Sequence, residues 1–195
     1  MAAGPLLAQV SPTINELPSR EYGHIRLQGT LTTAAPNLVE GKELNGPSAI
    51  AFDTSVSPPI VYVADTFNNR VLAWQNAYSI SKGNPADKMI GQRDFNSTLG
   101  LGPGTSLTTG LNAPVAVAVD QSGNLYVADA GNNRILRYPA PFRQTGDLLP
   151  VDLVIGQRSI GATISGSNNI ANQGGTLPSP STIFLSQNGT IFRAG

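Results

Sequence analysis

The chain has 195 residues; 12 basic and 12 acidic side chains balance to zero net charge, and only 12% of residues are charged. That balance argues against a surface built to follow a phosphate backbone, where affinity comes from clustered Lys and Arg. The lack of cysteine excludes disulfides and thiolate metal sites. The 21 glycines and 15 prolines predict frequent turns and no long helices.

Residues 1–9, MAAGPLLAQ, are small and apolar and resemble the tail of a secretory signal, although a basic start and a full apolar region are missing. They are read as an ordinary flexible terminus or, alternatively, as a signal-peptide remnant, with an extracytoplasmic or secreted location as the expectation. Residues 10–43 form an N-terminal segment in which EYGHIRLQG (21–29) is the candidate capping or closing strand. It contains His24, the one histidine, whose neighbours lack metal-ligand spacing; a solvent-facing or strand-packed role is expected. No run of eighteen apolar residues occurs, so no membrane-spanning helix is expected.

From residue 44 the chain repeats itself. The first unit, 44–110, opens with LNGP and SAIAFD to Asp53, then reads VYVADTFNNRVLAW over 61–74. The second, 111–176, opens with LNAP and VAVAVD to Asp120, then reads LYVADAGNNRILRY over 125–138. Asp65 and Asp129 lie 64 positions apart; a second phrase, MIGQRDF at 89–95, returns as VIGQRSI at 154–160. A third start at 177–195, LPSPSTIFLSQNGTIFRAG, covers less than half a unit. Each unit reads as short strands: SAIAFD or VAVAVD, IVYVAD or LYVAD, RVLAWQ or RILRYP, and an outer KMIGQ or LVIGQ, with Gly- and Asn-bearing turns between them. Because IVYVA and AVAV stay apolar on both faces, cover on both sides is expected. Short four-stranded antiparallel sheets stacked around an axis satisfy this, so the expected fold is all-β, a partial β-propeller, with a β-sandwich as the alternative.

The phrase L-N-x-P-x-x-(I/V)-A-(F/V)-D followed by Y-V-A-D-x-x-N-N-R-(I/V)-L resembles the NHL repeat of β-propellers, closely over 44–74 and 111–138 and partly over 177–195. The third copy departs from it, with Ser186 for the first Asp and Arg193-Ala194-Gly195 for V-A-D. The resemblance implies rings of about six blades. Two and a half units therefore read as a fragment of a larger propeller that self-assembles or needs further blades.

Asp65, Asn68, Asn69 and Arg70 recur as Asp129, Asn132, Asn133 and Arg134, each set spanning one turn between strands. A carboxylate facing a guanidinium across a tight turn serves the blade, as does any polar set repeated in every unit. Asp53 and Asp120, each just before a hairpin, are read in the same way. Trp74 and Tyr138, at equivalent strand ends, are expected to pack between blades. The Gly-rich stretch TLGLGPGTS at 98–106 has no following Lys or helix and reads as a connector, not a phosphate loop. It and its counterpart at 161–175 are the candidate ligand-facing loops, through Ser97, Thr98, Thr105, Ser106, Ser165, Asn168 and Asn169. Sequons begin at Asn96 and Asn188 and matter only in a eukaryotic secretory setting.

There is no G-x-S-x-G elbow, and one histidine allows at most one His-based acid or base. Some NHL propellers resemble lyases or hydrolases with metal-bound His; no position here inherits that role. The expected function is a non-catalytic binding scaffold for a protein, peptide or glycan, without metal, cofactor or nucleic acid. The alternatives are a fragment of a propeller enzyme, lyase-like or hydrolase-like, whose catalytic residues lie in other blades, and a nucleic-acid-binding propeller.

Overall fold

The structure, a computed structural model, describes residues 39–80, 83–100, 109–157, 183–185 and 191–192. The candidate closing strand at 21–29, His24 and residues 1–9 lie outside them. Two four-stranded antiparallel sheets form, with strand order following chain order in each. Blade 1 consists of β1 (Pro47–Asp53), β2 (Ile60–Asp65), β3 (Arg70–Trp74) and β4 (Lys88–Ile90). Blade 2 consists of β5 (Pro114–Val119), β6 (Leu125–Asp129), β7 (Arg134–Tyr138) and β8 (Leu153–Ile155). A two-stranded antiparallel pair, β9 (Phe184–Leu185) and β10 (Ile191–Phe192), follows from the third unit. The fold is thus all-β, a partial propeller of four-stranded blades. Among the described residues, no helix is long and apolar enough to cross a membrane.

The register is the same in both blades: Asp65 pairs with Arg70 and Tyr62 with Ala73, as Asp129 pairs with Arg134 and Tyr126 with Arg137. Because side chains alternate along a strand, each register assigns every residue to one of two faces. One face of blade 1, carrying Ile60, Tyr62, Ala64, Val71 and Ala73, packs against Val117, Leu125, Val127, Leu136 and Tyr138 of blade 2. The opposite face of blade 2, with Ala116, Tyr126, Ala128 and Ile135, meets Ile183 of the third unit. The units therefore stack in sequence order, each offering one face to its successor. Small residues on the first strands (Ala49, Ala51, Ala116, Ala118) let neighbouring backbones come close. Polar bonds cross the joint as well: Ser48 Oγ and Thr66 Oγ1 donate to the Val115 and Pro114 carbonyls at 2.9 and 2.8 Å, and the Ala113 N–H donates to Asn69 Oδ1 at 2.7 Å.

The expected cover on both faces holds for β2, β3 and β6, which are buried at every position, but not for β1. Ile50 and Phe52 are 49% and 48% exposed. Their equivalents in blade 2, Val117 and Val119, pack into the joint with blade 1. The difference is one of position in the stack: blade 1 shields Val117 and Val119, and among the described residues no blade stands in that relation to β1. Tyr138 packs between the blades, whereas Trp74 lies on the far face of blade 1 with Leu44, Val63 and Met89.

Tyr62 and Tyr138 are fully buried. Burial, with the nearby Asp53 and Asp129 carboxylates adding to it, pushes both phenols well above their ordinary range. In the unfolded chain they ionise near pH 10, while the folded chain keeps both protons. Stability is therefore fully present below about pH 10 and falls above it by about 1.4 kcal/mol per pH unit for each phenol. Urea unfolding at rising alkaline pH, with phenolate absorbance as a second readout, tests this. Phenolate forming in a folded chain of undiminished stability would contradict it.

Candidate functional site

The turn end of each blade is organised by one carboxylate. Asp65 Oδ2 accepts bonds from Arg70 Nε at 2.7 Å and Asn68 Nδ2 at 2.9 Å, and its Oδ1 accepts the Asn45 N–H at 2.6 Å. Asp129 repeats the pattern with Arg134 (2.7 Å), Asn132 (2.8 Å) and the Asn112 N–H (2.6 Å). The guanidiniums extend the tie to neighbouring carbonyls, Arg70 to Phe95 and Glu43, and Arg134 to Gly110. All four ionised side chains are at most 1% exposed. A short 3-10 turn links the paired strands in both blades and ends on an Asn in the left-handed region, Asn69 at φ 53° and Asn133 at φ 52°. Asn tolerates that conformation better than other residues with a side chain.

The Gln of the repeated I-G-Q phrase completes this end and was not assigned a role from the sequence. Gln92 Nε2 donates to the Asn69 and Leu99 carbonyls, both at 2.8 Å, and Gln157 Nε2 to the Asn132 and Asn133 carbonyls. Its repetition 65 residues apart was the available signal. The turn end is thus a closed network in which the repeated carboxylates and guanidiniums face each other and the backbone. Ser97 and Thr98 lie at the same end, half-buried, and the Thr98 carbonyl accepts a bond from Asn69 Nδ2. Thr105, Ser106, Ser165, Asn168 and Asn169 lie outside the described residues.

The opposite, hairpin end is open. A cleft of about 550 Å³ lies there between the blades, walled by Asp53, Tyr62 and Asp87 of blade 1 and Gly123, Phe142 and Arg143 of blade 2. Asp53 holds its own hairpin, Oδ1 accepting the Ser55 N–H at 2.9 Å and the Ser55 hydroxyl at 2.5 Å. Gly123, at φ +81°, lets the seam close: a Cβ there would come within 2.9 Å of Asp53 Oδ2. Asp120 stabilises its hairpin more fully, accepting the Ser122 and Asn124 N–H groups, Asn124 Nδ2 and the Tyr126 hydroxyl. Among the described residues, no three His, Asp or Glu side chains group closely enough to hold a metal ion.

Residues 111–138 match the family model of the NHL repeat. No curated protein matches the chain. Among solved structures the chain is similar to Kuenenia stuttgartiensis hydrazine synthase, with a TM-score of 0.45 and 15% identity, over 87% of this chain and 32% of that one. The chain thus spans about a third of that protein's length. The NHL repeat builds a propeller-type fold commonly used for binding or scaffolding.

Proposed function

We propose that this NHL-repeat chain is a non-catalytic scaffold that binds a protein, peptide or glycan at the ends of its blades, outside the cytoplasm. One observation carries the reading. The repeated ionised side chains are buried in pairs at the turn ends, while side chains that differ between the units include large apolar ones exposed at the blade ends. Phe67, Tyr78 and Leu99, exposed by 69%, 67% and 60%, are among the latter. Exposed apolar groups beside polar loops are what recognition surfaces use. The neutral charge disfavours nucleic acid, and the signal-like first residues favour an extracytoplasmic site.

The test is binding of the 195-residue chain to peptide and glycan arrays, with parallel turnover assays on any ligand retained. Saturable binding without turnover is expected, weakened by Phe67→Ser or Tyr78→Ser by about 10-fold where the altered side chain sits in the contact. Turnover of the ligand would overturn the non-catalytic assignment. Preference for RNA with a steep salt dependence would overturn the choice of partner.

A further inference from the structure

The two blades treat one site differently. In blade 2, Arg137 grips Asp152 in a fork, Nε to Oδ1 at 2.8 Å and Nη2 to Oδ2 at 2.9 Å. Tyr126 is the cross-strand partner of Arg137, and its hydroxyl donates to Asp120 Oδ2 at 3.3 Å. A carboxylate, a guanidinium, a phenol and a second carboxylate thus stand side by side.

Blade 1 carries every member of this set except the cation. Tyr62 stands where Tyr126 stands, paired with Ala51 as Tyr126 is with Ala118. Asp87 corresponds to Asp152: its N–H donates to the Ala73 carbonyl, as that of Asp152 donates to the carbonyl of Arg137. Asp53 corresponds to Asp120. At the position of Arg137 the chain has Ala73. Asp53, Asp87 and Tyr62 all line the cleft between the blades. Tyr62 is 0% exposed and, among the described residues, its hydroxyl has no hydrogen-bond partner, although a buried hydroxyl ordinarily has one. Neither Asp53 nor Asp87 forms an ion pair among the described residues; Asp53 uses Oδ1 for Ser55, and Asp87 uses Oδ2 for the Gln75 N–H.

Among the described residues, nearby cations do not fill the gap. Lys88 bonds the Pro141 and Gln144 carbonyls at 2.9 and 2.8 Å and sits 5.5 Å from the Phe142 ring centre. Arg143 is exposed on the rim, so the lining holds two carboxylates against one guanidinium.

We propose that this cleft binds a guanidinium presented by an arginine side chain of a peptide or protein segment. Asp87, Tyr62 and Asp53 take toward it the places that Asp152, Tyr126 and Asp120 take toward Arg137. A planar guanidinium suits the site better than an ammonium because it forks onto a carboxylate while stacking on rings. Phe142, half-buried and edge-to-face with Tyr62 at 6.3 Å between centroids, supplies the ring. The cleft volume, within the range of small-ligand sites, leaves room for the flanking peptide backbone. This deepens the scaffold reading and rests on it for the choice of a peptide ligand.

The experiment is an amide NMR titration of the labelled chain with acetyl-Gly-Arg-Gly-amide, its lysine and citrulline counterparts, and maltotriose. The arginine peptide is expected to saturate shifts at Asp53, Tyr62, Asp87 and Gly123 with Kd on the order of 1 mM. The citrulline peptide, isosteric but uncharged, should bind at least about 10-fold more weakly, and the lysine peptide should fall between them. Tyr62→Phe removes a hydroxyl that makes no bond among the described residues, so this variant stays folded and should bind several-fold more weakly. Ala73→Arg supplies the missing cation from within and should abolish binding. Equal binding of the arginine and citrulline peptides, no binding of either, or stronger shifts with maltotriose at the same amides would overturn the proposal. A macromolecular ligand retained undiminished by Ala73→Arg would sink the cleft assignment and leave the scaffold standing. Arginine-peptide binding accompanied by turnover of that peptide would support the cleft and sink the non-catalytic scaffold.

Discussion

Asp129→Ala is expected to destabilise the chain by about 3–5 kcal/mol, because it leaves the Arg134 guanidinium buried without its partner. Arg134 is 1% exposed and its Nε lies 2.7 Å from Asp129 Oδ2. The same change removes the acceptor for the Asn112 N–H and for Asn132 Nδ2, so three donors lose an acceptor together. At roughly 2–4 °C per kcal/mol for a chain of this size, the melting temperature should fall by about 10 °C. Replacing both partners, Asp129→Leu with Arg134→Met, should recover much of the loss, since the charge left alone and not the missing attraction dominates the cost. Urea unfolding of the single and double variants decides the matter. A single-variant loss below about 1 kcal/mol would show that the pair does not hold the turn.

Leu111→Ala is expected to cost about 2–5 kcal/mol, the usual range for truncating a fully buried Leu when its surroundings relax little. Leu111 is 0% exposed and sits in the core shared by the two blades. Gly91 of blade 1 leaves the space for it: a Cβ on Gly91, at φ +94°, would fall 2.6 Å from Leu111 side-chain atoms. The side chain that opens blade 2 is therefore plugged into a gap left by the end of blade 1. Its truncation should loosen the coupling between neighbours as well as the core, and urea unfolding should broaden as the blades begin to melt separately. Leu99→Ala, at a position 60% exposed, is the control and should stay within about 0.5 kcal/mol of the parent. Equal effects from the two substitutions would contradict the joint described above.

Much of this architecture is readable from one chain because it is written twice. The paired phrases around Asp65 and Asp129 fix where strands stop, since a turn of Gly and Asn residues and a β-branched run constrain the backbone locally. The Asp–Arg facing relation also follows from local spacing, five residues across a tight turn. Gln92 and Gln157 were harder: each has a bond to a carbonyl more than twenty residues back, and only the recurrence of I-G-Q hinted at them. The exposure of Ile50 and Phe52 was hidden, because β1 and β5 have the same pattern and differ only in what stands beside them. The cleft was the least legible feature. Its walls come from 53–62, 75–87 and 122–143, and they meet only once one blade leans on the next. Ala73 and Arg137 were visible as a mismatch, but its meaning depends on a register that places each opposite a tyrosine.

The way the blades join has a consequence for assembly. Blade 1 meets blade 2 through a face that blade 2 does not turn back to it; blade 2 turns its other face to Ile183. A contact of this kind is heterologous and has a direction, like a row of identical hooks and eyes, so no arrangement of two such units satisfies both. It comes to rest only by bending into a closed circle or by meeting an end piece of different shape. Among the described residues, Ile50 and Phe52 are the eye left open on β1, and their half-exposed apolar surface is what such a closure or end piece would cover.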